Sequence, residues 1–399
     1  MSLFESALVR RHNVGSNPID AGMLAETLLF YNSVHIVLDG GLLYELILSI
    51  GANNLIELLE EKNLMASYSR TFTGVMKNTT NYVNTYSFAA VRMHAKANKK
   101  KILTTDEISE SVERALGVSK ESKKIAKKLI DKFSFRDIGF GNAKDRAEVV
   151  RSELIDDGQL ASCVEAFMKS VVPRYVMPRS WEFRCIPQND ACEEFHILTD
   201  LKFDLINMEY YKSADSSQSP ITPEWILSHI LDAKVDVDLA SRYMSEIITT
   251  PILSDIIRIR FDHMLLKRER SQRDISLFQE THLNDARAVR EAINSGERGF
   301  SDFMVTLRKA PRFKQWLADR NPDSNLLQEY YKAALADSWI NKLPVKGLRY
   351  IISSVSGLIN TAGGLAVGAA DAFLADRILK GWRPNQFIEG PLKKFVSYR

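Results

Sequence analysis

Two residues near the middle of the chain have the type and spacing of a metal-dependent nuclease site. Asp200 and Lys202 form an acid-x-Lys pair shortly after the predicted strand 195–198, and Glu182 or Asp190 could supply a second carboxylate. In such sites carboxylates hold Mg²⁺, and a lysine stabilises the attacking water or the scissile phosphate. The pattern is loose, and capping a helix is a simpler role for Asp200. We therefore predict no catalytic residue and keep this pair as the enzymatic alternative.

Two other groups of residues are candidate sites for a metal or a phosphate. Cys185, Cys192 and His196 could supply three zinc ligands, but structural zinc usually takes four, with closer cysteine pairs than this C-x₆-C spacing. The segment 139–144, GFGNAK, resembles a phosphate loop but lacks the G-K-[ST] ending. We therefore predict no metal and no cofactor, and we expect the cysteines to be small buried thiols.

A basic stretch at 92–136 is the candidate for nucleic-acid binding. It contains thirteen Lys or Arg residues and six Asp or Glu residues, so its local charge is +7. Phosphate binding would use such a patch, although a solvated helix face is the plainer interpretation. The candidate phosphate-binding residues are Lys99, Lys100, Lys101, Lys124, Lys127 and Lys128.

Composition bounds the class of protein. With 399 residues the chain is long enough for two domains, and its 45% hydrophobic and 26% charged content is that of a soluble globular protein. Three cysteines are too few for a disulfide framework, which favours a reducing compartment. The first residues lack the basic-then-apolar order of a signal peptide. These features predict a cytoplasmic protein, with peripheral membrane contact as an addition.

The first half of the chain mixes helix and strand patterns. Helical spacing is found at 21–31 and at 42–50, where Gly51 ends the second helix. Four runs are typical of strands: 34–38, 64–69, 181–186 and 195–198. This order predicts an α/β or α+β domain over 1–212.

The second half of the chain shows helical spacing throughout. A linker is expected at 213–223, because its small polar residues and two prolines cannot build a core. Thr222 and Pro223 are then an N-cap and a first-turn proline, which start a helical domain over 224–343. The predicted fold class is therefore mainly α: a mixed N-terminal domain, an all-helical domain, and a Gly-rich helical hairpin with a strap over 344–399.

The uncharged stretch 350–370 has the length of a membrane-spanning helix but not the hydrophobicity. About 20 residues suffice to span a bilayer, but only seven residues here are Ile, Leu or Val. We therefore expect a closely packed helical hairpin, with membrane insertion after assembly and an interface with a second copy as alternatives. The glycines expected at the contact are Gly357, Gly363, Gly364 and Gly368.

The C-terminal tail combines aromatic, proline and basic residues. We expect it to lie as a strap over the body with Trp382 and Phe387 docked. The alternative is a peptide presented to a partner or a lipid surface, for which Trp382, Arg383 and Phe387 are the contact residues.

The preferred function on the sequence alone is non-catalytic. We expect a binding or effector protein that acts through region 347–399, with another protein or a second copy of the chain as its partner. A membrane surface and nucleic acid stay open as partners, and the nucleic-acid alternative uses the basic stretch 92–136.

Overall fold

The computed structural model describes most of the chain. The described ranges are 4–10, 20–69, 72–91, 104–135, 143–155, 158–212, 219–248, 251–260, 262–282, 289–319, 326–335 and 382–397. The Gly-rich stretch 350–370, with its four predicted contact glycines, lies outside these residues, and so do Lys99, Lys100 and Lys101. The function predicted for that stretch therefore stays a prediction.

The chain divides into two compact units. Unit 1 comprises Met1–Glu5, Ala25–Asn32 and Ser271–Arg399, and unit 2 comprises Ser6–Leu24 and Ser33–Arg270. The predicted linker ends at residue 223. Pro223 is already the first residue of a helix that belongs to unit 2.

Unit 2 contains both β-sheets. The described residues form nine strands: β1 Ser6–Arg10, β2 Ser33–Leu38, β3 Leu64–Tyr68, β4 Phe72–Thr80, β5 Val83–Val91, β6 Ser134–Phe135, β7 Phe183–Pro187, β8 Phe195–Thr199 and β9 Glu246–Ile248. The predicted strands at 34–38, 64–69, 181–186 and 195–198 are confirmed as β2, β3, β7 and β8.

The first sheet is five-stranded and entirely parallel, in the order β6-β3-β2-β1-β9. The chain steps outward from β1 to β2, β3 and β6, and it later returns to place β9 on the other side of β1. The inner strands β1 and β2 are buried at nearly every position, as is typical of a parallel sheet, whereas both residues of the edge strand β6 are exposed.

The second sheet is four-stranded and antiparallel, in the order β4-β5-β8-β7. Strands β4 and β5 form a hairpin that stays paired from Phe72↔Val91 to Thr80↔Val83. Strand β5 meets β8 only at Tyr86↔Phe195, where the two rings stack with centroids 6.1 Å apart. The outer part of the hairpin therefore extends past the rest of the sheet.

The helices follow the spacing of apolar residues in most of the chain. Their bounds are α1 Ala21–Phe30, α2 Gly40–Ile50, α3 Ala52–Leu58, α4 Thr104–Leu116, α5 Lys120–Ile130, α6 Ala143–Val150, α7 Leu160–Val171, α8 Phe203–Tyr210, α9 Pro223–Tyr243, α10 Pro251–Arg260, α11 Asp262–His282, α12 Val289–Asn294, α13 Phe300–Leu307, α14 Pro311–Ala318, α15 Leu326–Leu335, α16 Pro384–Phe387 and α17 Lys393–Val396. Among the described residues, two π-helical turns occur, at Arg151–Ile155 and Ile388–Leu392. No helix among the described residues is long and apolar enough to cross a membrane.

Helix α9 is the central helix of unit 2. As predicted, the Thr222 side chain caps it and Pro223 takes its first position. Its Ser228 Oγ accepts the backbone N–H of Val75 in β4 at 2.9 Å, which joins the helix to the antiparallel sheet. Apolar side chains join it to the parallel sheet: Leu8, Val37, Val235 and Leu239.

The described residues of unit 1 are mainly helical and have an aromatic core. Phe313 lies at its centre, with ring centroids 6.1 Å from Phe30 and 6.4 Å from Phe278. The C-terminal segment docks there, since Phe387 is 2% exposed and stacks on Phe313 at 5.1 Å. Further along the segment, Phe395 meets Phe303 at 6.1 Å.

The predicted fold class, mainly α, is wrong, because the protein is mixed α/β. Strands β1, β4, β6 and β9 were not predicted, β5 was indicated only by the alternating spacing of Tyr82, Tyr86 and Phe88, and helical spacing was extended through residue 249. Instead α9 ends where Met244 adopts a left-handed conformation with φ 49°, and the following residues pair with β1. The partner of so short a strand lies more than two hundred residues away in sequence. Local periodicity carries no information about that pairing.

Candidate functional site

Helix α5 presents the candidate nucleic-acid interface, and its own sequence holds it in place. Ser119 Oγ accepts the N–H of Ser122 at 3.0 Å, while Ser122 Oγ accepts the N–H of Ser119 at 2.9 Å. This reciprocal pair satisfies donors that the first turn would otherwise leave unpaired. Ile125, Ala126 and Leu129 are buried on the inner face and anchor the helix. The side chains of the outer face are therefore not needed for the packing of the core.

Five lysines form that outer face, and all five are exposed. They are Lys120, Lys123, Lys124, Lys127 and Lys128. None of them makes an ion pair with another described residue. By contrast, Lys132 just beyond the helix pairs with Glu60 at 3.1 Å. We call these five residues the lysine face; the carboxylates nearest to it along the helix are Glu121 in the first turn and Asp131 at the C-cap.

The lysine face does not stabilise the helix that carries it. Like charges four residues apart each destabilise a helix by about 0.2–0.5 kcal/mol, and Lys120 and Lys124 are such a pair, as are Lys124 and Lys128. Lysines in the first turns also oppose the helix dipole, while Lys127 and Lys128 in the last turn complement it. Helix stability therefore gives no reason for the lysines of the first turns.

The structure brings together three of the six predicted phosphate-binding lysines. Lys124, Lys127 and Lys128 share the lysine face with Lys120 and Lys123, and the other three lie outside the described residues. No aromatic signature of RNA binding accompanies the lysines in the sequence, but Tyr82, Tyr86 and Phe88 lie upstream at an alternating spacing that fits a strand. The structure places Tyr82 at the turn of the β4–β5 hairpin, where it is fully exposed. A two-residue turn beginning with Asn between two alternating runs is the sequence signal for that exposed position.

Asp200 and Lys202 are both exposed, and they make different contacts. Asp200 Oδ1 accepts the backbone N–H of Glu182 at 2.7 Å, so it ties the end of β8 to the start of β7. The helix-cap role expected for Asp200 is wrong, because Lys202 occupies the N-cap position of α8 without a side-chain hydrogen bond. Glu182 is itself paired with Arg184 at 2.8 Å. The nuclease interpretation of this pair stays a prediction.

In the β7–β8 hairpin the two cysteines are buried, and the histidine is hydrogen-bonded to the backbone. Cys185 and Cys192 are buried, and burial raises the pKa of Cys185 to about 12, which keeps the thiol protonated at neutral pH. His196 Nδ1 donates to the Asn84 carbonyl at 3.0 Å. Within the described ranges, no group of three or more His, Cys, Asp or Glu side chains is placed to hold a metal ion.

A buried cluster of charges lies at the carboxyl end of β1. The Arg10 guanidinium donates to Asp232 and to Asp236 of α9, and all three side chains are at least 92% buried. Burial by itself lowers the pKa of Arg10, but the two carboxylates more than offset this, so the pKa lies above its ordinary value. The cluster fixes α9 on the sheet.

A second polar cluster lies at the carboxyl ends of β2 and β3. Burial, followed by the charges of Glu107 and Asp39, raises the pKa of Tyr68 far above its usual range, so its hydroxyl stays protonated. A Cβ at Gly40 would lie 3.0 Å from Ser111 Oγ and 3.4 Å from the Tyr68 hydroxyl. The close packing at Gly40 leaves little room beside the Tyr68 hydroxyl.

The predicted contact residues of the tail take part in the packing of unit 1. Phe387 is buried in the aromatic core, as the strap interpretation expects. The Arg383 guanidinium donates to the Ala333 carbonyl at 3.1 Å, and Trp382 is half-buried. Presentation of these residues to a partner would require the strap to leave this position.

Comparisons with protein-family models, with curated proteins and with solved structures find no match to this chain. Function is therefore inferred from geometry and charge. Among the described residues, the lysine face is the surface whose charge indicates most specifically the class of its binding partner.

Proposed function

We propose that this protein binds nucleic acid through the lysine face of α5. One observation carries the proposal: five exposed lysines share one helix face, and none is paired with another described residue. Such a face attracts a polyanion, because each lysine that neutralises a phosphate releases a condensed counterion.

The spacing of the lysines suits a phosphate backbone. Successive turns of an α-helix rise by about 5.4 Å, so Lys120, Lys124 and Lys128 place ammonium groups at regular intervals along one side. Lysine binds phosphate as a compact, flexible point charge without reading bases. In this proposal the lysines contribute to the affinity for nucleic acid and to its orientation. Any preference for a base sequence comes from other residues.

The test is binding of the full chain to labelled DNA, measured by fluorescence anisotropy over a series of salt concentrations. The variant combines Lys123→Ala, Lys124→Ala, Lys127→Ala and Lys128→Ala. On duplex DNA we expect the slope of log K against log salt to become less negative by about 0.9 for each lysine that contacts a phosphate. Affinity at low salt should fall at the same time.

A matched control keeps the change in net charge equal. It combines Lys144→Ala, Lys169→Ala, Lys212→Ala and Lys309→Ala, four exposed lysines on other elements. If the control loses as much affinity as the α5 variant, binding is a property of overall charge and the assignment to α5 is wrong. If the unmodified protein shows no salt-sensitive binding, the proposed function is wrong.

A further inference from the structure

The β4–β5 hairpin ends in an exposed finger that the lysine face does not explain. Residues 76–84 are all exposed, although both strands remain paired up to the turn. The last contact of β5 with its other neighbour is at Tyr86, so the outer part of the hairpin lacks a second partner strand among the described residues. We call residues 76–84 the finger.

The turn of the finger carries a strained aromatic residue. Asn81 and Tyr82 form the two-residue turn with φ values of 50° and 65°. Asparagine suits the first position, but the second favours glycine, because a side chain there is strained in the left-handed region. Tyr82 is nevertheless fully exposed, at 102% of its reference area, and makes no ring contact with another described residue. Strain of this kind at an exposed position points to a role outside the fold.

The surroundings of Tyr82 favour a nucleic acid over a protein surface. Lys77 is the sole charged residue of the hairpin 72–91, so no carboxylate would repel a phosphate. Side-chain amides and hydroxyls, the groups that bind base edges, flank the tyrosine: Asn78, Thr79, Thr80, Asn81 and Asn84.

We infer that Tyr82 is a stacking platform for an unpaired base of single-stranded nucleic acid. Every base presents a π-face, and aromatic side chains bind single strands in this way without strict sequence preference. The inference rests on the proposed function, since the lysine face supplies the affinity for phosphate. It narrows the substrate class from nucleic acid in general to strands or ends with accessible bases.

The testing variant is Tyr82→Gly in the full chain. Glycine accepts the left-handed turn without strain, so the variant is expected to fold at least as stably as the unmodified protein. A loss of binding can therefore be assigned to the missing ring. Tyr82→Phe is the matched variant that keeps the ring and removes the hydroxyl.

Three labelled ligands of equal length distinguish contacts to the bases from contacts to the phosphates: a single strand, a duplex and an abasic strand. We expect Tyr82→Gly to weaken single-strand binding about tenfold and Tyr82→Phe to retain it. Binding of the duplex and of the abasic strand should change less than about twofold, because neither offers an unstacked base. A 2-aminopurine in the single strand should report stacking through quenched fluorescence that is lost in Tyr82→Gly.

The outcomes separate this inference from the proposed function. If Tyr82→Gly binds all three ligands as the unmodified protein does, the inference is wrong, the lysine face keeps its role, and the finger is a surface for a protein partner. A uniform loss on all three ligands would also overturn the inference, because it would not depend on bases. If the unmodified protein binds none of the ligands, the proposed function and the inference fail together.

Discussion

Helices α9 and α5 hold their charges in opposite ways. Asp232 and Asp236 of α9 are almost completely buried and share the guanidinium of Arg10. The lysine face of α5 is exposed and makes no ion pair with a described residue. Both helices belong to unit 2, and both have a well-defined N-terminal cap. In α9 another residue of the protein supplies the opposite charge, whereas in α5 no described residue pairs with the lysines.

This difference separates structural charge from functional charge. A buried charge must be paired, since an isolated one is strongly destabilising in a low-dielectric interior. An exposed charge has no such requirement, and repulsion between neighbouring lysines makes the lysine face mildly unfavourable. Substitutions that disturb the buried charges of α9 should therefore change the free energy of unfolding more than substitutions in α5. At one position of α5 the substitution should increase that free energy.

The largest effect is expected for Arg10→Met. The substitution leaves two buried carboxylates without their cation, which should lower the free energy of unfolding by about 3–5 kcal/mol. Urea denaturation followed by circular dichroism measures it. Adding Asp236→Asn to the variant should restore part of the loss, because one uncompensated charge is removed. A loss below about 1 kcal/mol for Arg10→Met would show that the cluster does not hold α9 on the sheet.

The comparison also shows where sequence reasoning works. The starts of α9 at Thr222 and of α5 at Ser119 could be predicted, because caps and periodicity are local signals. The lysine face could be predicted for the same reason, as its spacing is visible along one helix. Tyr82 could be placed near a strand, but its exposure depends on how far β5 stays paired with β8.

Long-range pairing explains what the sequence did not reveal. Strand β9 has three residues, and it is a strand only because β1 offers a parallel edge. The partnership of Arg10 with α9 spans more than two hundred residues in the same way. Neither contact leaves a local pattern, and so the mixed α/β fold was mistaken for a mainly helical one.

A smaller loss is expected for Ser228→Ala, which tests a neutral buried contact of α9. Without the hydroxyl, the buried N–H of Val75 loses its acceptor, which should cost about 1–3 kcal/mol of unfolding free energy. Ser109→Ala is the matched control. Both hydroxyls donate to the carbonyl four residues earlier, but only Ser228 also accepts from a strand. Equal effects of the two substitutions would contradict the role of Ser228 in joining helix and sheet.

Ser119→Ala should have an effect of about 1 kcal/mol, because it removes the cap of α5. Fraying of the first turn should also weaken DNA binding slightly, since Lys120 and Lys123 lie there. Ser119→Asn is the control, because asparagine is an equally good cap and adds no charge. Denaturation and anisotropy would be measured on the same preparations. If stability falls and binding is unchanged, the first turn lies outside the interface.

The smallest effect is expected for Lys124→Gln, and its sign is the opposite of the others. Lys124 lies four residues from both Lys120 and Lys128, so neutralising it should raise the free energy of unfolding by a few tenths of a kcal/mol. The gain should shrink in high salt, which screens the repulsion. The same substitution should weaken DNA binding and reduce its salt dependence. Greater stability together with weaker binding is what a charge placed for an external partner requires. If Lys124→Gln instead destabilises the protein, the lysine has a partner within the fold, and the contrast between α5 and α9 does not hold.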